Sequence, residues 1–593
     1  MIITRKIIQC EIVCFMEVNL DWMLMAKNEK SLINKKLKVN FSNNTYSLFH
    51  ELSDDEYYTF DKQGVFIFGY ILPRLTEKKM GYSPKQILDN YIKYGDDFII
   101  SYKGVFTLIV FDGEDVKIFT DRFGISKFFH YNEGGKIFAS NRLSSLKNNR
   151  NFEVSLENIY MYLIFNYYIK DTTLFSGIKK SEGGMFIRIS EKIQLEKYFN
   201  IRDFLQDRGE IISEKDTFSR ATGLWKDLMG QYLEKFDTKS IAQTLTAGLD
   251  SRMILAGFRS NKFNPVTFTF GNTESMDVVY AKEIADKLKI KHNHYCSDKN
   301  FFENYGQLAS KTIDLGDGLV SLYRAHRLDA YTKLSKKINT VFFGFIGSEI
   351  TRGGVYPDGL IYPWIIIDKW LGKEINLSTY LEKSFVNIDK KVLAKVKKNI
   401  DSYEFMNYLD QYIFEVLIPL HFGQDIRLLE RLNIKSTSPF WDIDFLEFLK
   451  CTQYFIDNSR KETLSTRGHF KRRKGPFFST KIVNMMDPEN AKISLGKGYS
   501  PRDYQTSMYL AGIKFLYYKN VYKKQYSIPN FHYDQWFKNF LLSYMKKVTE
   551  FGIININHEE CIQAIEGIKG QEELSFVSFV KHINIFLTNE LLN

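Results

Sequence analysis

Cysteine is scarce: five residues in 593, at Cys10, Cys14, Cys296, Cys451 and Cys561. They are too few and too scattered for a disulfide framework. Cys10 and Cys14 are four residues apart, but no later Cys–His cluster completes a metal site. A reducing, cytoplasmic setting is therefore expected. Long apolar runs are missing too. The opening MIITRKIIQCEIVCFMEV is interrupted by Arg5, Lys6, Glu11 and Glu17, so it lacks the unbroken core of a signal peptide. No later run reaches membrane-spanning length, and no membrane partner is expected. RNP, zinc-knuckle and helix-turn-helix signatures are absent. The formal charge of +11 is modest for this length and reads as a solvated basic surface, not a nucleic-acid site. There is no internal repeat and no low-complexity tract.

What remains is the composition of a soluble globular protein, 44% hydrophobic and 25% charged. At this length more than one core is required. Up to about residue 205 the chain alternates short β-branched and aromatic runs, such as GVFIFGYIL and KIFASN, with turn signals at Asp112-Gly113 and Gly134-Gly135. SPKQILDNYIKYG carries a helical period ending at Gly95, and ENIYMYLIFNYYI reads as a second helix. From residue 206 the pattern changes. IAQTLT, PVTFTFG and NTVFFGF are strands separated by helices such as MDVVYAKEIADKLKI, a βαβ layout that implies a parallel sheet. Beyond residue 400 the chain reads largely helical. The expected domains are thus 1–205, α+β with antiparallel strands, and 206–593, α/β with a helical C-terminal part.

The stretch TLTAGLDSR, residues 244–252, lies where a strand over 241–245 gives way to a helix over 253–258. Ala247 and Gly248 permit a sharp turn, and the N–H groups of the new helix make a site for an anion. Asp250 would repel phosphate there unless a divalent cation lay between them, so the pair points to a magnesium nucleotide. An ordinary capped strand-to-helix turn gives the same letters. The rest of the chain has to decide.

Several segments, in order, resemble the asparagine synthetase family. TAGLDSR is similar to its SGGLDS pyrophosphate loop, and FTFGNTESMDVVYAKEIADKLKIKHNHY to the strand and helix that follow, with Asp277 and His292 in place. FFGFIGSEITRGG resembles SGEGSDEVFGG, SPFWDIDFLEF the PFLD segment, and LGKGYSP a late lysine-bearing loop. In the first half, KGVFTLIVFDGEDVKIFTDRFGISKFFHY and TTLFSGIKKSEGG resemble the family's amidotransferase motifs. The likeness covers about residues 60–510. It implies an N-terminal Ntn-like antiparallel β-sandwich, then a PP-loop domain of the adenine nucleotide α-hydrolase type. It also implies ATP and Mg²⁺ as cofactors. By resemblance, Thr246, Ala247, Gly248, Asp250 and Ser251 cradle pyrophosphate, with Ser251 and Lys497 as catalytic groups. Leu245, Phe270, Phe343 and Gly344 line the adenosine pocket, and Asp250 and Glu349 ligate magnesium. Lys497 has the competing reading of a solvated loop lysine in a Lys-rich chain. His292 and His294 read as hydrogen-bonded histidines in preference to metal ligands, and the HFKRRKG string at 469–475 as a solvated face.

The likeness breaks at two places. The family's amidotransferase needs a cysteine after the initiator methionine, but position 2 is Ile2, and neither Cys10 nor Cys14 is followed by the usual glycine. Its NGEIYN stretch appears as FGYILP, so Phe68 stands where an asparagine contacts glutamine, and an acidic residue expected near SPKQIL is missing. In the synthetase half the family's E-x-R before PFLD reads Lys435 and Thr437, and the acid within SGEGSDE falls at Phe345 or Ile346. Cysteine-free relatives such as β-lactam synthetases and lasso-peptide cyclases form other amides. The expectation is therefore an AMP-forming amide ligase that joins a small-molecule or peptide carboxylate to an amine without hydrolysing glutamine; a homodimer is compatible. Two rivals stand beside it, a glutamine-hydrolysing asparagine synthetase and a non-catalytic nucleotide-binding scaffold.

Overall fold

The computed structural model describes residues 21–26, 39–147 except 44, 150–351 except 191, 362–456, 476–521, 535–551, 556, 558–567 and 574–592. Twelve strands build two six-stranded antiparallel sheets. The first has the order β10-β8-β9-β1-β3-β2, from β1 (Trp22–Ala26), β2 (Val39–Ser42), β3 (Tyr46–His50), β8 (Phe129–Glu133), β9 (Lys136–Ser140) and β10 (Lys179–Lys180). The second has the order β12-β11-β7-β6-β5-β4, from β4 (Tyr57–Phe60), β5 (Gln63–Pro73), β6 (Tyr102–Asp112), β7 (Asp115–Thr120), β11 (Met185–Ile189) and β12 (Ile193–Lys197).

Strand alternation assigns the faces. On β5, Phe66 and Phe68 point between the sheets with Trp22, Leu48, Ile109 and Ile118. Val65 and Ile67 point outward, against Ile87, Leu88 and Tyr91 of the helix Pro84–Tyr94. That helix starts with Pro84 after a Ser83–Gln86 capping box and ends at Gly95. The other outer face packs on the helix Leu156–Phe165. Two sheets packed between helices result, and the central strands β5, β6 and β7 are buried along most of their length for that reason, while the edge strands β4 and β12 are more exposed.

The second half holds a five-stranded parallel sheet of order β15-β14-β13-β16-β17. Its strands are β13 (Ile241–Thr244), β14 (Val266–Phe270), β15 (His292–Tyr295), β16 (Thr340–Phe342) and β17 (Lys435–Thr437). The helices Leu249–Ser260 and Met276–Leu288 make the crossovers β13 to β14 and β14 to β15. The helix Glu214–Lys235 packs on the first of these, with Trp225 donating its indole N–H to the carbonyl of Met253 at 3.0 Å. The strand order reverses between β13 and β16, and in open α/β sheets ligands bind beyond the carboxyl ends at such a point.

The short helix Ile201–Gln206 and the start of the helix Glu214–Lys235 lie where the two expected domains meet. The two halves are locked by buried polar contacts. Lys103 of β6 binds Asp442 and Asp444 at 3.0 and 2.6 Å. Tyr70 of β5 donates to Thr437 Oγ1 at 2.6 Å.

Candidate active site

Three loops meet over the switch point. The first is 245–248, between β13 and its helix. The helix starts at Leu249, four residues before the sequence pattern suggests, because the N-cap is Gly248 in extended geometry. Asp250 and Ser251 therefore sit inside the first turn. No side chain caps this terminus, so its backbone N–H groups keep their anion-facing character. The loop is braced from within. Ser251 Oγ accepts from Thr246 N at 3.2 Å, Gly248 N donates to Thr246 Oγ1 at 3.1 Å, and Ala247 N donates to Asp277 Oδ1 at 3.2 Å. Ser251 is buried, and its hydroxyl is placed as a brace for the turn.

The second loop follows β16. Asp250 Oδ2 accepts from the backbone N and hydroxyl of Ser348 at 3.0 and 2.5 Å. A Cβ on Gly347 would stand 2.8 Å from Asp250 Cγ, which is why glycine occupies this point of contact. Glu349 lies two residues on, half-buried in the short helix Gly347–Thr351. Phe343 N donates to Thr437 O at 2.9 Å, and the Phe343 ring stacks on Phe345 at 4.4 Å. Ile346 is β-branched yet has φ of 57°, a strained conformation in a loop that approaches the site.

The third loop carries Lys497. Leu495 N donates to Tyr499 O at 2.7 Å and Gly498 N to Leu495 O at 3.1 Å, closing a tight turn with an exposed Lys497 near its tip. This turn is pinned to the first loop. A Cβ on Gly496 would lie 3.1 Å from Ala247 Cβ. Arg252, fully buried, donates to the carbonyls of Ile493 at 2.9 Å and Ser494 at 2.5 Å. Burial pulls the Arg252 guanidinium down to about 10. Sequence reasoning passed over Arg252; its partners lie 241 and 242 residues away, so no local signal marks it.

The remaining candidates sort by depth. Leu245 and Phe343 are buried in the sheet, so only their backbones reach the crevice. Gly344 comes against the helix start, where a Cβ would lie 3.0 Å from Ser251 N. Phe270 ends β14 with the Arg327 guanidinium 5.3 Å from its ring. His292 Nδ1 contacts Thr267 Oγ1 at 3.0 Å and His294 Nε2 contacts Gly271 O at 2.8 Å. Among the described residues no group of three or more His, Cys, Asp or Glu side chains gathers to hold a metal. Lys435 pairs with Glu56 at 3.0 Å.

In the antiparallel half, Phe68 lies with its ring 5.4 Å from Trp22, which opens β1, and Phe128 packs 5.8 Å from the same indole. Asp121 is wholly buried, and burial pushes its carboxyl up to about 6 against the pull of the backbone N–H groups of Phe123, Ile125 and Ser126. Ile2, Cys10, Cys14 and the basic string 469–475 lie outside the described residues. So does the end of the FFGFIGSEITRGG segment.

Residues 84–199 match the glutamine amidotransferase domain family. Over 290 residues the chain is 22% identical to the putative asparagine synthetase (glutamine-hydrolyzing) 2 of Methanocaldococcus jannaschii. That match covers 47% of this chain and 55% of the relative, so the chain spans about half the length of the curated relative it matches. Among solved structures, glutamine phosphoribosylpyrophosphate amidotransferase from B. subtilis, complexed with ADP and GMP, aligns with a TM-score of 0.21 at 7% identity. The alignment covers 47% of this chain and 60% of that one. An allosteric regulatory enzyme of purine biosynthesis aligns at 0.20 and 6%, covering 39% and 55%. No described helix is long and apolar enough to cross a membrane. Residues 84–199 are thus similar to glutamine amidotransferase domains, and about half of the chain is similar to a putative asparagine synthetase.

Proposed function

We propose that the chain is an ATP- and magnesium-dependent amide ligase that forms AMP and pyrophosphate and does not hydrolyse glutamine. In this reading 1–205 is a degenerate, Ntn-like amidotransferase domain and 206–593 a PP-loop synthetase domain. The observation that supports it is the convergence of the 245–251, 344–349 and 495–498 loops at an uncapped helix start, loops that carry Asp250, Glu349 and Lys497. These residues fit a magnesium nucleotide. The glycines at 344 and 347 let this loop close directly on Asp250 and Ser251 at the helix start. Asp250 and Glu349 are the carboxylates that would hold Mg²⁺, whose charge offsets that of the phosphates. The backbones of residues 246–248 face the pyrophosphate, and Leu245, Phe270, Phe343 and Gly344 border the adenosine.

The chemistry follows from the poor leaving group of a carboxylate. A carboxylate oxygen attacks the α-phosphorus of ATP, the bond to the β-phosphate oxygen breaks, and pyrophosphate leaves. The amine then attacks the acyl carbon, loses a proton, and expels AMP. The protein's part is to hold the phosphates, neutralise their charge and position the amine. Asp250→Asn removes the acid that alone reconciles the turn with phosphate through a cation. Pyrophosphate release with the true carboxylate and amine should fall to background in this variant. Release matching the unmutated protein would refute the loop assignment.

The rival is glutamine-dependent synthesis, favoured by the printed name of the archaeal relative. Against it, the rings of Phe68, Trp22 and Phe128 fill the region where the resemblance puts a polar contact to glutamine. No ammonia should be released from glutamine above a heat-killed control. Release above that control would promote the rival.

A further inference from the structure

A partly open crevice with an inner space of about 50 Å³ lies between the two halves, bounded by β1, β5 and β6 on one side and by residues 426–436 on the other. Three of its lining side chains carry buried polar atoms with no hydrogen-bond partner: Trp22 Nε1, Arg431 Nε and Ser436 Oγ. All three residues are at least 95% buried. The indole and guanidinium nitrogens are donors only, so whatever satisfies them must accept. The other guanidinium nitrogens of Arg431 are already engaged, by Asp21 at 3.1 Å and by Asn141 O at 2.5 Å. Lys127 adds a fourth donor-bearing side chain to the lining.

We propose that this cavity is a binding site for one small monovalent anion, of the halide or short-carboxylate class. Water is the competing occupant, and the chemistry separates the two. A water molecule that accepts from Trp22 or Arg431 brings two hydrogens that need acceptors of their own. The hydroxyl of Ser436 and the amide oxygen of Asn433 could take those hydrogens. The lining also carries three cationic side chains, Lys127, Arg431 and Lys435, against the single carboxyl of Glu430, which burial pushes up to about 7. That balance favours a negative occupant. An anion accepts from every donor and asks for nothing in return. Size agrees: a water needs about 10–15 Å³ on this measure, so the space takes roughly three or four heavy atoms. Bromide, formate and acetate fit. Sulfate is larger and doubly charged, and it does not.

The position gives the site a consequence. Ser436 is the residue before Thr437, whose hydroxyl is bound by Tyr70 of the antiparallel half and whose carbonyl accepts from Phe343. An anion that bridges Trp22 of β1 to Arg431 and Ser436 fastens the same seam.

The test uses the full chain at constant ionic strength. Sodium formate and sodium bromide, at about 50 mM where general salt effects are small, should each raise the melting temperature by at least about 2 °C. Trp22→Phe, which keeps a ring but removes the donor, and Ser436→Ala should each lose more than half of that rise. Crystals soaked in bromide should show an anomalous peak in the cavity, a readout that does not depend on either variant folding. Undiminished rises in both variants, or a bromide soak with only water in the cavity, would each overturn the proposal.

Discussion

At the scale of single residues, Lys497 separates the proposed chemistry from a bland surface. Its side chain is exposed, but its turn is held against Ala247 and tethered to Arg252, so two independent contacts keep the 495–498 turn beside the 245–248 loop. If it meets charge that builds as pyrophosphate departs, neutralising it should slow the reaction more than it weakens ATP binding. Losing such a donor typically costs about 3–4 kcal/mol of barrier, on the order of 10² to 10³ in rate. Lys497→Met should thus bind ATP nearly normally and adenylate very slowly. Lys497→Arg should recover little, because a planar guanidinium does not replace a compact ammonium. ATP affinity and single-turnover adenylation, measured side by side, check this. Normal turnover in Lys497→Met returns the residue to the solvated loop.

At the scale of elements, much was legible and the remainder has one cause. The βαβ order could be read from alternating strands and helices, because each element's period is local. The Asp250 turn was legible for the same reason. The helix after it was placed too late, since nothing in the letters shows that Gly248 serves as N-cap. Arg252, Trp22 and Asp317 were invisible as organisers because their partners lie far away in sequence. Asp317 shows how much this hides. Buried without exposure, it accepts from Arg142 of the antiparallel half at 3.3 Å and from Arg427 and Arg431 at 2.5 and 3.2 Å. It also accepts from the backbone N of Leu143 at 2.9 Å. Burial alone would raise its carboxyl, but the three guanidinium groups hold it below the usual range. Asp317→Asn leaves three buried cations sharing a neutral amide. Breaking such a group typically costs about 3–5 kcal/mol. Urea denaturation should show a loss of that order, and a loss under about 1 kcal/mol would mean the arginines find other partners.

At the scale of the whole molecule, the seam between halves and the packed helical part make stability depend on pH in a defined direction. His130 faces the first antiparallel sheet's edge, and burial drops its imidazole to about 4. His582, in the C-terminal helix Leu574–Leu592, is fully buried. It contacts Ser384 O through Nε2 at 2.7 Å, and burial drops it to about 4 as well. In the unfolded chain both return to about 6.5. Between pH 4 and 6.5 the unfolded state therefore binds more protons than the folded one, so stability falls as pH falls through that window. Each histidine contributes a slope of up to about 1.4 kcal/mol per pH unit there. Asp425 acts lower down. Burial would raise it, but Arg324 and Arg327 hold it at about 2, so its contribution is complete above about 4 and is lost only as pH drops toward 2. Acid should thus destabilise the protein in two steps, histidines first. A denaturation series from pH 7.5 to 5 should show the first, and His130→Gln with His582→Gln should reduce its slope without abolishing it, because burial lowers His50, His292, His326 and His421 in the same way. An unchanged slope in the double variant would assign the histidine window to other groups.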